Sequence, residues 1–141
     1  MFRGIGRGIV LAACAALAAC NDTTTPVAPT PTIITSTFSG TLIPASAGTF
    51  SFTTLTGGSV VATLTTLGPD STKTVGFSLG TFVTVTKTCT VIMDNSAATQ
   101  AFAFTATTSS IGTYCVRIYD NGSTSADNVP YTFTITVSHP Q

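Results

Sequence analysis

The sequence has no tryptophan, no glutamate and a single histidine, and only 7% of its 141 residues are charged. Each shortage excludes something. Five Lys and Arg residues cannot form the basic stripe that neutralises a phosphate backbone, so no nucleic-acid partner is expected. The one histidine, His139, lies close to the C-terminus and, by pattern, beyond the last strand. That leaves no positioned imidazole for a Ser/His/Asp arrangement. No glycine-rich loop leads from a strand into a helix, which removes phosphate-cradling nucleotide sites. Asp70, Asp94, Asp120 and Asp127 all fall in turn-forming stretches, where an Asp ordinarily bonds its own backbone. Paired-carboxylate hydrolysis therefore has no evident pair, no catalytic residue is assigned, and an enzyme is not expected.

Threonine is abundant instead, at 31 residues, beside many Val, Ile and Phe. This is a β composition, and the length fits one domain.

The N-terminus reads as an address. Arg3 and Arg7 precede a run from Gly8 to Ala19 that is almost entirely Ile, Val, Leu and Ala. Such a run suits a signal-peptide core and falls short of the roughly 20 apolar residues of a spanning helix. It ends Leu17-Ala18-Ala19-Cys20, which resembles the lipobox of bacterial lipoproteins. The resemblance implies cleavage before Cys20 and attachment of a diacylglyceryl group to its thiol, with palmitate-type acyl chains. Three chains hold firmly, because one is marginal and each buried CH₂ adds about 0.8 kcal/mol. Leu11-Ala12-Ala13-Cys14 has the same form but leaves a very short apolar core. Ordinary secretion, with cleavage near Ala16-Leu17-Ala18, is the other alternative. The expected place is the bacterial cell envelope, periplasmic side or cell surface, with the membrane as a partner through the anchor. Without residues 1–19 the chain keeps three Lys and Arg against five Asp, a side-chain charge of −2.

Residues 20–34 follow as lipidated Cys20 and a Pro/Thr-rich tether, in which Pro26, Pro29 and Pro31 favour extended backbone. Counted to residue 36, the tether reaches about 50 Å at about 3.1 Å per residue. The domain is expected over 35–141.

There the hydropathy has period two. Tyr131, Phe133, Ile135 and Val137 alternate with Thr132, Thr134, Thr136 and Ser138, and Val60, Ala62 and Leu64 alternate similarly. About eight strands are predicted, near 35–42, 48–55, 58–66, 72–79, 81–93 (broken or bulged), 99–106, 112–119 and 130–138. Gly57-Gly58, Gly68-Pro69-Asp70, Asp94-Asn95-Ser96, Asp120-Asn121-Gly122 and Asp127-Asn128 supply the turns. The fold class expected is all-β: one antiparallel β-sandwich.

Cys89 and Cys115 both lie in predicted strands, and an exported protein permits disulfides. A bridge between them is expected, with two free buried thiols or a metal or redox role as alternatives. If Tyr114, Val116 and Ile118 face inward, Cys115 faces out, so the bridge should join neighbouring strands on the outer face.

Gly112-Thr113-Tyr114-Cys115-Val116-Arg117-Ile118, followed after a polar turn by Tyr131-Thr132-Phe133-Thr134-Ile135-Thr136-Val137, resembles the bacterial pre-peptidase C-terminal (PPC-like) domain. Phe38-Ser39-Gly40-Thr41-Leu42 and Gly48-Thr49-Phe50-Ser51-Phe52 resemble its opening strands. The resemblance spans about residues 35–138. It implies a jelly-roll-like sandwich, usually non-catalytic, some members of which bind polysaccharide, collagen or calcium. No peptidase domain accompanies it here, and the acidic linker of calcium-binding members has no counterpart.

Candidate ligand-binding residues are Arg117, Tyr119, Asp120, Asn121, Asp127 and Asn128. Tyr119 faces outward by alternation and could stack on a sugar, with Arg117 as a neighbouring donor. Asp120, Asn121, Asp127 and Asn128 supply oxygens within one loop. They are few for calcium, which takes six to eight, so no metal is assigned and calcium stays a weak possibility. The function expected is a non-catalytic envelope lipoprotein carrying an interaction or structural module with a possible protein partner. A polysaccharide-binding module, calcium-assisted or not, is the alternative.

Overall fold

The structure, a computed structural model, describes residues 29–141. The expected leader, Cys14, Cys20 and the expected tether as far as residue 28 lie outside the described residues.

Eight strands follow one another: β1 (Ile33–Leu42), β2 (Ala47–Thr54), β3 (Gly58–Gly68), β4 (Val75–Val83), β5 (Thr88–Ala98), β6 (Ala103–Thr108), β7 (Gly112–Tyr119) and β8 (Tyr131–Pro140). A 3₁₀ turn at Ser125–Asp127 is the one helical element among the described residues. The strands form two four-stranded sheets, ordered β1-β8-β3-β6 and β2-β7-β4-β5. Every pairing is antiparallel. The pairs β1/β8, β2/β7, β3/β6 and β4/β5 make one long ribbon whose successive pairs fall in alternate sheets. That is the jelly-roll wrap.

The wrap gives the sandwich two different ends. At one, here the tether end, β1 begins and the short β2–β3, β4–β5 and β6–β7 turns gather. At the other, the loop end, lie the β1–β2, β3–β4, β5–β6 and β7–β8 connections.

Period-two alternation fills the core as the sequence predicts. Tyr131, Phe133, Ile135 and Val137 of β8 are buried, as are Val60, Ala62 and Leu64 of β3. They meet Val75, Phe77 and Leu79 of β4 and Val116 and Ile118 of β7. A bulge between Leu64 and Thr66 resets β3, so that Leu67 again faces inward. Phe77, Phe102 and Phe104 pack together, and Phe38, Phe50 and Phe133 form a second aromatic group. On the outer face of the β1-β8-β3-β6 sheet, hydroxyls pair across strands: Ser39 with Thr134 at 3.2 Å and Thr65 with Thr136 at 2.9 Å.

Several boundaries differ from expectation. β1 starts at Ile33, so Ile33 and Ile34 belong to the sheet, paired with Pro140 and His139, and not to the tether. β4 runs through Gly80 to Val83, and the following turn is Thr84-Val85-Thr86-Lys87, with Lys87 at φ 55°. The β-branched Thr84, Val85 and Thr86 read as strand. Asp94-Asn95-Ser96 read as a turn but lies in β5, held by side-chain bonds described below. β6 begins at Ala103, after a turn in which Ala101 has φ 70°. His139 lies inside β8, and its side chain is buried against Phe52, with ring centroids 5.1 Å apart.

Cys89 and Cys115 form a disulfide, with Cα atoms 5.8 Å apart. It lies on the outer side of β7, as expected, but the strands are not neighbours: β4 runs between β5 and β7. Gly80 of β4 pairs with both Cys115 and Val91. A Cβ there would collide with the Thr90 carbonyl, so β5 folds over β4 at the one residue that lets it pass. All eight strands, the core and the disulfide lie within residues 33–141.

Candidate functional site

The predicted ligand residues gather near the loop end, on the outer face of the β2-β7-β4-β5 sheet and in the loop after β7. Tyr119 ends β7 opposite Gly76 of β4. Its ring lies over that glycine so closely that a Cβ there would fall within the ring. The guanidinium carbon of Arg117 sits 4.7 Å from the ring centroid. The Tyr119 hydroxyl donates to both oxygens of Asp94, at 3.1 and 3.0 Å. Ser78, fully buried on β4, donates to Asp94 Oδ1 at 2.6 Å. Partial burial, then the Asp94 carboxylate, pushes the Tyr119 hydroxyl pKa up. This cluster puts Asp94 in a strand: two hydroxyls from two other strands reach its carboxylate.

The loop from Asp120 is held by its own carboxylate. Oδ1 accepts from Thr124 Oγ1 at 2.6 Å and from Gly122 N at 2.9 Å. Oδ2 accepts from Ala45 N at 2.8 Å and from Ser125 Oγ. Burial would raise the Asp120 pKa, but the bonds from Thr124, Ala45, Gly122 and Ser125 outweigh it and hold the group below the usual carboxylate range. Asn121 donates to Ser96 O at 2.6 Å and Thr74 Oγ1 at 3.0 Å, which ties the loop to β5. Asp127 pairs with Lys73 at 2.8 Å and accepts from the Tyr131 hydroxyl at 2.7 Å. The Lys73 ammonium, then that hydroxyl, lowers the Asp127 pKa, while the Tyr131 hydroxyl is pushed up to about 12. Asn128 takes the left-handed conformation, φ 52°, and closes the 3₁₀ turn.

The structure thus brings Arg117, Tyr119, Asp120 and Asn121 to one region. It turns the Asp120 and Asp127 carboxylates to different partners. Among the described residues no group of three or more His, Cys, Asp or Glu side chains is placed to share a metal ion. Asp94, Ser78 and Lys73 belong to this network although none is among the candidate ligand residues. Their part depends on which strands neighbour β7, and no local pattern encodes that.

A second feature was not foreseen. Between the sheets, where the β5 and β6 edges part, a cleft of about 290 Å³ is lined chiefly by Phe52, Val60, Leu79, Ile92, Met93 and Tyr114. Its character is apolar, with Thr107 and Ser109 also contributing to the lining. The β5 edge beside it exposes Val91 and Ile92.

No family model matches this chain, and no curated protein matches it.

Proposed function

We propose that the chain is a non-catalytic, lipid-anchored protein of the bacterial cell envelope whose PPC-like jelly roll serves as an interaction or structural module. The anchor reading rests on the Leu17-Ala18-Ala19-Cys20 signal. One observation carries the module reading: Tyr119, Asp120, Asn121 and Asp127, which could have formed a ligand site, are engaged by other groups of the fold. Tyr119 has Gly76 beneath its ring and Arg117 against it, which leaves no open platform for a pyranose. Asp120, Asn121 and Asp127 brace the β7–β8 loop. What the surface offers instead is an apolar cleft beside an edge strand, the kind of surface that takes a partner.

The alternative, a polysaccharide-binding module with or without calcium, draws on Arg117. Among the described residues its guanidinium has no carboxylate partner, so its fork of donors is open to a ligand. The test is retention of the soluble mature chain, Cys20→Ser, on peptidoglycan and insoluble polysaccharides, with and without calcium. The module reading expects it in the flow-through of every matrix. Retention lost in Arg117→Ala would replace that reading with the polysaccharide one.

A further inference from the structure

The exposed aliphatic side chains are not spread evenly. Six of them, Ile33, Ile34, Leu55, Val83, Val85 and Ile111, sit at the tether end. Val85, at the tip of the β4–β5 turn, is 91% exposed, and Ile111, in the β6–β7 turn, is 69% exposed. The loop end carries two, Ile43 and Val129, and Val91 and Ile92 lie along β5. Carboxylates are divided the opposite way. Asp70, Asp94, Asp120 and Asp127 lie in the loop-end half beside Lys73 and Arg117, whereas the tether end carries Lys87 and no carboxylate side chain among the described residues. Lys87 sits in the same turn as Val85.

We infer that the tether end lies against the lipid surface to which the anchor attaches, with the loop end directed away from it. This inference rests on the reading of Cys20 as the lipidated residue. The occupant follows from where the chain enters. Twelve residues lie between Cys20 and Ile33, a span of thirteen steps, so the attachment point is within about 40 Å of β1 at about 3.1 Å per residue. β1 begins at the same end as the exposed aliphatics, so the anchor delivers that end to the bilayer. Apolar side chains at a membrane surface insert at the boundary between headgroups and acyl chains. Lys87 adds attraction to anionic headgroups, and the aspartates at the far end keep like charge away from them. A tether alone would let the domain tumble, and the apolar end gives it one resting orientation.

The absence of tryptophan supplies the reporter. The full-length protein, acylated in a bacterial host, is reconstituted into phosphatidylcholine/phosphatidylglycerol vesicles with brominated acyl chains. It carries Val85→Trp or, as the control, Ile43→Trp. Both positions are exposed aliphatics in turns, so both variants keep the core intact, and any affinity of indole for the interface is common to the two. The expected result is a blue-shifted Val85→Trp emission quenched several-fold, with Ile43→Trp unquenched. Equal quenching of both, or none at Val85→Trp in vesicle-bound acylated protein, overturns the orientation and leaves the anchor standing. A mature mass without acyl groups on Cys20 overturns the anchor reading and this inference with it.

Discussion

Replacing Gly76 with alanine puts a methyl group within the ring of Tyr119. Gly76 is paired with Tyr119 in β7, and its neighbours Val75 and Phe77 are paired with β5, so the backbone is held and the ring must leave. Its departure breaks the hydroxyl contacts to Asp94 and the stacking of Arg117. A hydrogen bond to a charged group contributes about 1.5–3 kcal/mol, and this pair is partly exposed, which places it at the low end. The cation–π contact at such a site adds about 0.5–1 kcal/mol. Against this, alanine recovers about 0.5–1 kcal/mol by restricting the unfolded chain. Gly76→Ala should therefore cost about 1–2 kcal/mol, and Tyr119→Ala about 2–2.5 kcal/mol. The double variant has no ring to displace, so it should be no less stable than Tyr119→Ala alone. The coupling is then about 2 kcal/mol, far from additive. Urea unfolding of the four proteins reads it directly, as midpoint shifts at constant slope. Losses that add to within about 0.5 kcal/mol would mean that Tyr119 is not seated on Gly76. Its ring would then be open, and the polysaccharide reading would gain what the module reading lost.

The disulfide closes a separation of 26 residues, so Cys89→Ala/Cys115→Ala should lose about 3.5 kcal/mol in the chain-entropy model, measured by urea unfolding under oxidising conditions. Asp120, whose pKa is lowered in the fold from 3.8, contributes stability that is present above pH 3.8 and lost as pH falls through its folded value. Asp120→Asn should cost about 2 kcal/mol at neutral pH and flatten the acid limb of a plot of Tm against pH. Burial lowers the His139 pKa in the fold, whereas in the unfolded chain the ring takes up a proton near pH 6.5. Stability should therefore fall as pH drops through 6.5, and His139→Gln should remove that slope while the Asp limb below pH 4 remains.

Where the sequence was legible, side-chain pattern and strand face were the same thing. β8 alternates Tyr131, Phe133, Ile135 and Val137 against threonine because one of its faces is core and the other water, and nothing else acts on it. β4 and β5 were misread because their local signals serve other purposes. Gly80 looks like a break, yet it is the low point over which β5 crosses to bring Cys89 to Cys115. Thr84-Val85-Thr86-Lys87 looks like strand and turns without glycine or proline, through Lys87. Asp94-Asn95-Ser96 has turn chemistry, but Ser78 and Tyr119 capture Asp94 from two other strands. The pairing of Cys89 with Cys115 was legible because only those two cysteines follow Cys20. That β4 separates their strands was not, since strand order is a property of the whole wrap. The candidate ligand residues Arg117, Tyr119, Asp120 and Asn121 fall in one region of the fold. Their partners Asp94, Ser78, Lys73 and Thr74 become neighbours only through the β4–β5 and β4–β7 pairings and the β3–β4 loop. The apolar cleft had no sequence signal at all, because it is the gap left where the edges of two sheets diverge.

The central claim is that this jelly roll hangs from a lipidated Cys20, and the intact mass of the protein extracted from bacterial membranes tests it most directly. The account predicts a chain that begins at Cys20 and carries the added mass of a diacylglyceryl group and a third acyl chain. An unmodified chain, or one that begins elsewhere, would contradict it.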